Sequence, residues 1–150
     1  MKTLIPAVLI VLMLTVSAYA AEGMVDVKSS FGVKETADRL ESVLKEKGMT
    51  LFNRVKHSEA AQNVGVDLRE AQLIIFGNPQ VGSPLMKCQK SVAIDLPQKA
   101  LIWRDSEGNT WLSYNDPMYL KKRHNISNCK ELFSKIDKAL AGIAKAAATR

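Results

Sequence analysis

Two histidines, two cysteines and a few carboxylates and amides are the side chains here whose types and positions suit chemistry. His57 and His124 are the only imidazoles. Imidazole is the commonest metal ligand and the side chain whose ordinary titration lies nearest neutral pH. Asp95 stands between Ile94 and Leu96, where a carboxylate that becomes buried needs a partner, and Arg123 is the candidate for it. Tyr114-Asn115-Asp116-Pro117 sets a phenol, an amide and a carboxylate in succession, and Asn78 lies in Phe76-Gly-Asn-Pro79. Brought together, His124 and a carboxylate make a general acid–base pair, whereas His57 with His124 makes a two-histidine metal site. Each group also has a purely structural reading. A histidine bonded to a backbone carbonyl fixes a loop, Asn-Asp-Pro suffices as a turn and cap, and a tyrosine with a bonded hydroxyl packs in a core. The functional reading requires convergence, with His124 and Tyr114 bordering one cleft together with His57 or Asn78.

Several chemistries are excluded by what the chain lacks. Gly77-x-x-x-x-Gly82 begins like a phosphate-binding loop, but Ser83-Pro84 stands where the Lys-Ser/Thr pair belongs. There is no Gly-x-Ser-x-Gly elbow, no His-Glu-x-x-His helix and no dinucleotide glycine fingerprint. No cofactor is indicated. Cys88 and Cys129 have neither the Cys-x-x-Cys spacing of a redox pair nor that of a thiolate metal site. In an exported protein an even number of cysteines normally pairs, so a Cys88–Cys129 disulfide is expected.

Export is the reading of the first twenty residues. Lys2 is their one charge, Leu4 to Leu14 is an apolar run, and Ala18-Tyr19-Ala20 has the small-x-small pattern of a cleavage site. The expected cut falls between Ala20 and Ala21, which makes 1–20 a signal peptide and the product periplasmic or secreted. The alternative is an uncleaved anchor, since Leu4 to Ala21 nearly spans a bilayer. Pro6, Thr15 and Ser17 argue against it, and after cleavage no membrane association is expected. Removing the leader lowers the net charge from +6 to +5, because Lys2 is its only charged residue. The remaining basic residues are scattered, with one cluster at Lys121-Lys122-Arg123. A nucleic-acid binder gathers such charge on one face among aromatics, so nucleic acid is not an expected partner.

Residues 21–150 have the length of one domain. Met24 to Val27 reads as a strand, Val33 to Lys47 as a helix with Ala37, Leu40 and Leu44 on one stripe, and Thr50 to His57 as a second strand. Ser58 to Val64 is a helical turn. Gln72 to Phe76 holds a continuous apolar run that suits a central strand covered on both faces. A short helix is expected from about Ser83-Pro84. Lys99 to Arg104 and Thr110 to Tyr114 form a hairpin across Asp105-Ser-Glu-Gly-Asn109, with Trp103 and Trp111 on opposite arms. Asp116 caps a short helix with Pro117 at its first position. Asn128, with Glu131 three residues on, begins the last helix in the manner of a capping box. Hairpin-related strands with helices gathered on one face predict a single α+β domain with a largely antiparallel sheet.

Phe76-Gly-Asn-Pro79, Gly82-Ser-Pro-Leu-Met86, Ile94-Asp-Leu-Pro97, Trp111-Leu-Ser-Tyr-Asn-Asp-Pro117, Tyr119-Leu120 and Arg123-His124 together resemble the signature of the DUF302 family, over most of the chain after the leader. The resemblance implies a TATA-binding-protein-like α+β fold, often dimeric, with an undetermined biochemical role. It also implies that His57 and His124 occupy positions where family members tend to carry histidine. Two functions follow as expectations: a periplasmic module that binds a small molecule or a metal as a homodimer, or an enzyme using His124 and a carboxylate. A purely structural or interaction protein is the third.

Overall fold

The computed structural model describes residues 21–150, so the leader and its expected cleavage site lie outside the described residues. Five strands form one antiparallel sheet in the order β1-β5-β4-β3-β2, from β1 (Met24–Ser29), β2 (Thr50–Lys56), β3 (Ala71–Gly77), β4 (Gln98–Arg104) and β5 (Thr110–Asn115). Helices α1 (Val33–Glu46), α2 (His57–Gln62), α3 (Pro79–Cys88), α4 (Pro117–Arg123) and α5 (Lys130–Ala148) complete the domain, with a 3-10 segment at Lys90–Asp95. Among the described residues no helix is long and apolar enough to cross a membrane.

The expected helical stripes, with an alternation of buried and half-buried residues along the central strands, build the core. Ile74, Phe76, Ala100, Ile102, Leu112 and Tyr114 line one sheet face, and helices α1 and α5 lie over it. Helix α1 buries Val33, Ala37, Leu40 and Leu44, and α5 buries Phe133, Ile136, Leu140 and Ile143. Each large aliphatic side chain so buried contributes about 1.5–3 kcal/mol. The two helices are also tied by Arg39, which stacks 4.1 Å above the Phe31 ring and donates to the carbonyls of Ala147 (3.0 Å) and Thr149 (2.9 Å). A guanidinium there satisfies the carbonyls that a helix C-terminus leaves unpaired.

Three local expectations are corrected. Strand β3 is not covered on both faces: Gln72, Ile74 and Phe76 are buried, while Leu73 and Ile75 are half-buried on the side away from α1 and α5. Helix α3 starts at Pro79 rather than near Ser83, because Asn78 accepts from the Gln80 N–H at 2.9 Å and Pro79 takes the first position; Pro84 falls inside the helix. Asn128 does not cap α5. Cys129 holds that position with φ 62° and makes no side-chain cap bond. Cys129 is bonded to Cys88, with Cα atoms 6.5 Å apart, which joins the end of α3 to the start of α5. Asp116 does cap α4, accepting from the Met118 N–H at 2.8 Å with Pro117 next to it. Trp103 and Trp111 face each other across the hairpin.

Candidate functional site

The strand register sorts the sequence-predicted residues into two ends of the sheet. Thr50 pairs with Gly77 and Phe76 with Gln98, so the start of β2, the end of β3 and the start of β4 lie together. Asn78, Asp95 and Pro97 belong to that end. Lys56 pairs with Gln72, which puts His57 at the other end, one full strand away. Seven residues of strand span roughly 20 Å. His57 opens α2 and is exposed. It therefore does not join Asn78 or Asp95, and the expectation that it would is corrected. Among the described residues, no group of three or more His, Cys, Asp and Glu side chains gathers as a metal would require.

His124 and Asp95 do meet. The imidazole Nε2 donates to Asp95 Oδ2 at 2.5 Å, and both residues are buried. A carboxylate only accepts, so Nε2 carries the hydrogen, and in a neutral ring Nδ1 is left as an acceptor. Ser91 Oγ lies 3.0 Å from Nδ1. Arg123, the candidate partner for this carboxylate, donates to Asp95 Oδ1 at 3.2 Å. The result is a hydroxyl–imidazole–carboxylate line with an arginine behind it, joining the 3-10 segment to the end of α4. Ser91 was not foreseen, and nothing in the pattern around it distinguishes it from an ordinary surface serine.

The other expected residues have local duties. Tyr114 is an inward residue of β5 in the main core, and burial raises its phenol above the usual value, with the nearby Asp137 and Asp116 adding to the effect. Asn115 pairs with Met24 at the end of β5, and Asp116 caps α4. Neither Tyr114 nor His124 is among the residues that line the cavity at Asn78.

Asn78 instead lines a cavity of about 560 Å³ between the sheet end, α3, the segment up to Pro97, and α5. Gly77, Asn78 and Pro79 form one side, Gly82, Leu85 and Met86 of α3 a second, and Leu96 with Pro97 a third. Leu132, Ile136 and Leu140 of α5 close it. A Cβ at Gly77 would make only ordinary van der Waals contacts, 3.4 Å from the Phe52 ring and 3.6 Å from Pro97. Phe52 is the extra residue where β2 slips register against β3 between Leu51 and Asn53, and this exposed ring also reaches the cavity. Gln98 is the buried polar residue in the wall. Its parity with inward Ala100 and Ile102 was the signal that would have found it, since a polar residue at a core-facing strand position calls for an explanation.

Residues 25–143 match the family described as "Domain of unknown function DUF302". The chain superposes on the crystal structure of an uncharacterized conserved DUF302 protein from Bacillus stearothermophilus with a TM-score of 0.76, at 26% identity, covering 85% of this chain and 99% of that one. It is also 43% identical over 104 residues to proteins named fluoride-specific ion channel FluC 1 in Brucella suis and Brucella abortus. That alignment takes in 69% of this chain but only 41% and 38% of those relatives.

Proposed function

The chain belongs to the DUF302 family, and we propose that it is an exported small-ligand-binding module whose site is the cavity between the sheet end, α3 and α5. One observation carries this reading. Three separated motifs, Gly77-Asn78-Pro79, Gly82 to Met86 and Leu96-Pro97, line the same space. Independent fold determinants would each satisfy their own backbone and need not share a wall. The volume falls within the roughly 300–1,000 Å³ typical of small-molecule sites, and an apolar lining with few polar groups is their usual composition. The leader pattern and the Cys88–Cys129 bond support export to the periplasm, since disulfides persist in oxidising compartments. Half-buried Leu73, Leu101, Trp103 and Trp111 on the sheet face away from α1 and α5 support a homodimer. The ion conduction named for the Brucella proteins we assign to the part of their length outside the match.

The test is mass spectrometry of protein purified gently from its native periplasm. A stoichiometric co-purifying small molecule is the expected result. A protein that carries none, and that binds no apolar fluorescent probe in the cavity, refutes the reading.

A second reading rests on the line from Ser91 through His124 to Asp95. Asp95 orients the ring, His124 accepts the Ser91 proton, and the exposed hydroxyl meets substrate, which would make the protein a hydrolytic enzyme with acid–base chemistry. Ser91→Ala decides it: ester hydrolysis present in the native protein and absent in that variant supports the enzyme, and equal rates dismiss it.

A further inference from the structure

Gln98 is 9% exposed, and its Oε1 is fully removed from solvent without a hydrogen-bond partner. An orphaned buried amide oxygen costs about 1–3 kcal/mol, and native proteins seldom leave one unmet. Among the described residues, Asp26 Oδ1 is the other buried side-chain atom so stranded, and it lies across from Ser113 on the opposite face of the sheet. Gln98 is in the cavity wall, at the first residue of β4. A turn of the Gln98 amide that brings Oε1 to the cavity surface would let a donor bound there remove the penalty.

Charge supplies the second constraint. The cavity is lined by two cations, Lys47 past the end of α1 and Lys135 on α5, and by no carboxylate. Both lysines are exposed, so they stand at the open side while the aliphatic residues of α3 and α5 form the interior. An ammonium beside an apolar space pairs best with an anionic end held at the water boundary, in a charge-assisted bond stronger than a neutral one. The exposed Phe52 and Met86 continue the apolar surface outward.

Resting on the reading of this cavity as the ligand site, we propose that it takes an apolar carboxylic acid bearing a hydrogen-bond donor along its body. The carboxylate meets Lys47 and Lys135, the hydrocarbon fills the space between α3 and α5, and the donor bonds Gln98 Oε1 as the amide turns toward it. A hydroxylated medium-chain acid has this chemistry.

Isothermal calorimetry on the full chain as purified tests it with decanoate, decylamine and a set of hydroxydecanoates differing in hydroxyl position. Decanoate should bind at least tenfold more tightly than decylamine. At least one hydroxydecanoate should exceed decanoate by about fivefold, the effect of one neutral hydrogen bond. Gln98→Leu should erase the hydroxyl preference, and Lys47→Gln with Lys135→Gln should erase the preference for acid over amine. Ala139→Trp, at an exposed α5 position that lines the cavity, should abolish binding of every probe while the protein still melts cooperatively. Decylamine binding as tightly as decanoate overturns the ligand class and leaves the cavity reading standing. So does a hydroxyl preference that is absent or that survives Gln98→Leu. Failure of every probe to bind, or binding unchanged in Ala139→Trp, overturns the cavity reading itself and this proposal with it.

Discussion

Replacing both cysteines by serine should cost this protein about 4 kcal/mol and loosen one wall of the cavity. The Cys88–Cys129 bond spans 41 residues of sequence. Closing a loop of that length in the unfolded chain removes about 13 cal/mol/K of conformational entropy, which is about 4 kcal/mol at room temperature. For a domain of this size each kcal/mol moves the melting temperature by roughly 4 °C, so the double variant should melt about 15 °C lower. The native-state consequence is local. The bond anchors the end of α3 to the start of α5, and α3 buries only Leu85, at 2% exposure, to hold itself otherwise. Cys88→Ser with Cys129→Ser should therefore increase amide exchange across Pro79–Cys88 and the 3-10 segment more than across α1 or β3. Calorimetry and hydrogen exchange measure the two effects separately. A melting temperature lowered by less than about 4 °C refutes the entropic argument. Uniform exchange across all elements refutes the claim that the bond secures α3.

His124→Ala should destabilise the fold by about 1–3 kcal/mol in urea titration, because it strands buried Asp95 Oδ2, whereas exposed His57→Ala should stay within about 0.5 kcal/mol. Equal effects of the two substitutions would contradict the geometry. Tyr114 has its phenol raised by burial and the neighbouring carboxylates, so its contribution is complete below the ordinary value of about 10 and is lost as pH rises through the folded value. Alkaline unfolding of Tyr114→Phe should lack that part of the slope. In the hairpin turn, the Trp111 indole N–H, bonded to Oδ2 at 2.8 Å, and Asn109 hold the Asp105 carboxyl at about 2. Its contribution is present above the unfolded value near 4 and is lost as pH falls toward 2. Trp111→Phe should move the Asp105 carboxyl signal upward in an NMR titration; an unmoved midpoint would show that the indole is not the cause.

The elements were legible because their signals are local. The Leu40–Leu44 stripe, the Asp116-Pro117 cap and the hairpin turn each work within a few residues, and each appears where it was expected. Pairing of the two cysteines was also readable, since an even count and the expected export both favour a bond. The Asp95–Arg123 contact followed from the cost of burying an acid, a rule that does not depend on topology. The start of α3 went unread because Ser83-Pro84 and Pro79 are both acceptable helix openings, and only the Asn78 side chain chooses between them.

The site was not legible in this way. His57 and Asn78 both follow strands, which in sequence makes them look like neighbours at one edge. Antiparallel pairing of β2 with β3 sends them to opposite ends, and hydrophobic alternation reads the same in either strand direction. Ser91 meets His124 across 33 positions, and the cavity assembles residues from the end of α1 to α5. The sequence by itself determined which stretches become helix or strand and which of their faces turn inward, because backbone sterics and burial act on near neighbours. Only the tertiary structure decided that the glycine and proline motifs enclose a common space, that His124 serves Asp95, and that Gln98 is left without a partner in the wall. Those meetings depend on strand direction, register and the docking of α3 on α5, which are settled by the packing of the whole chain.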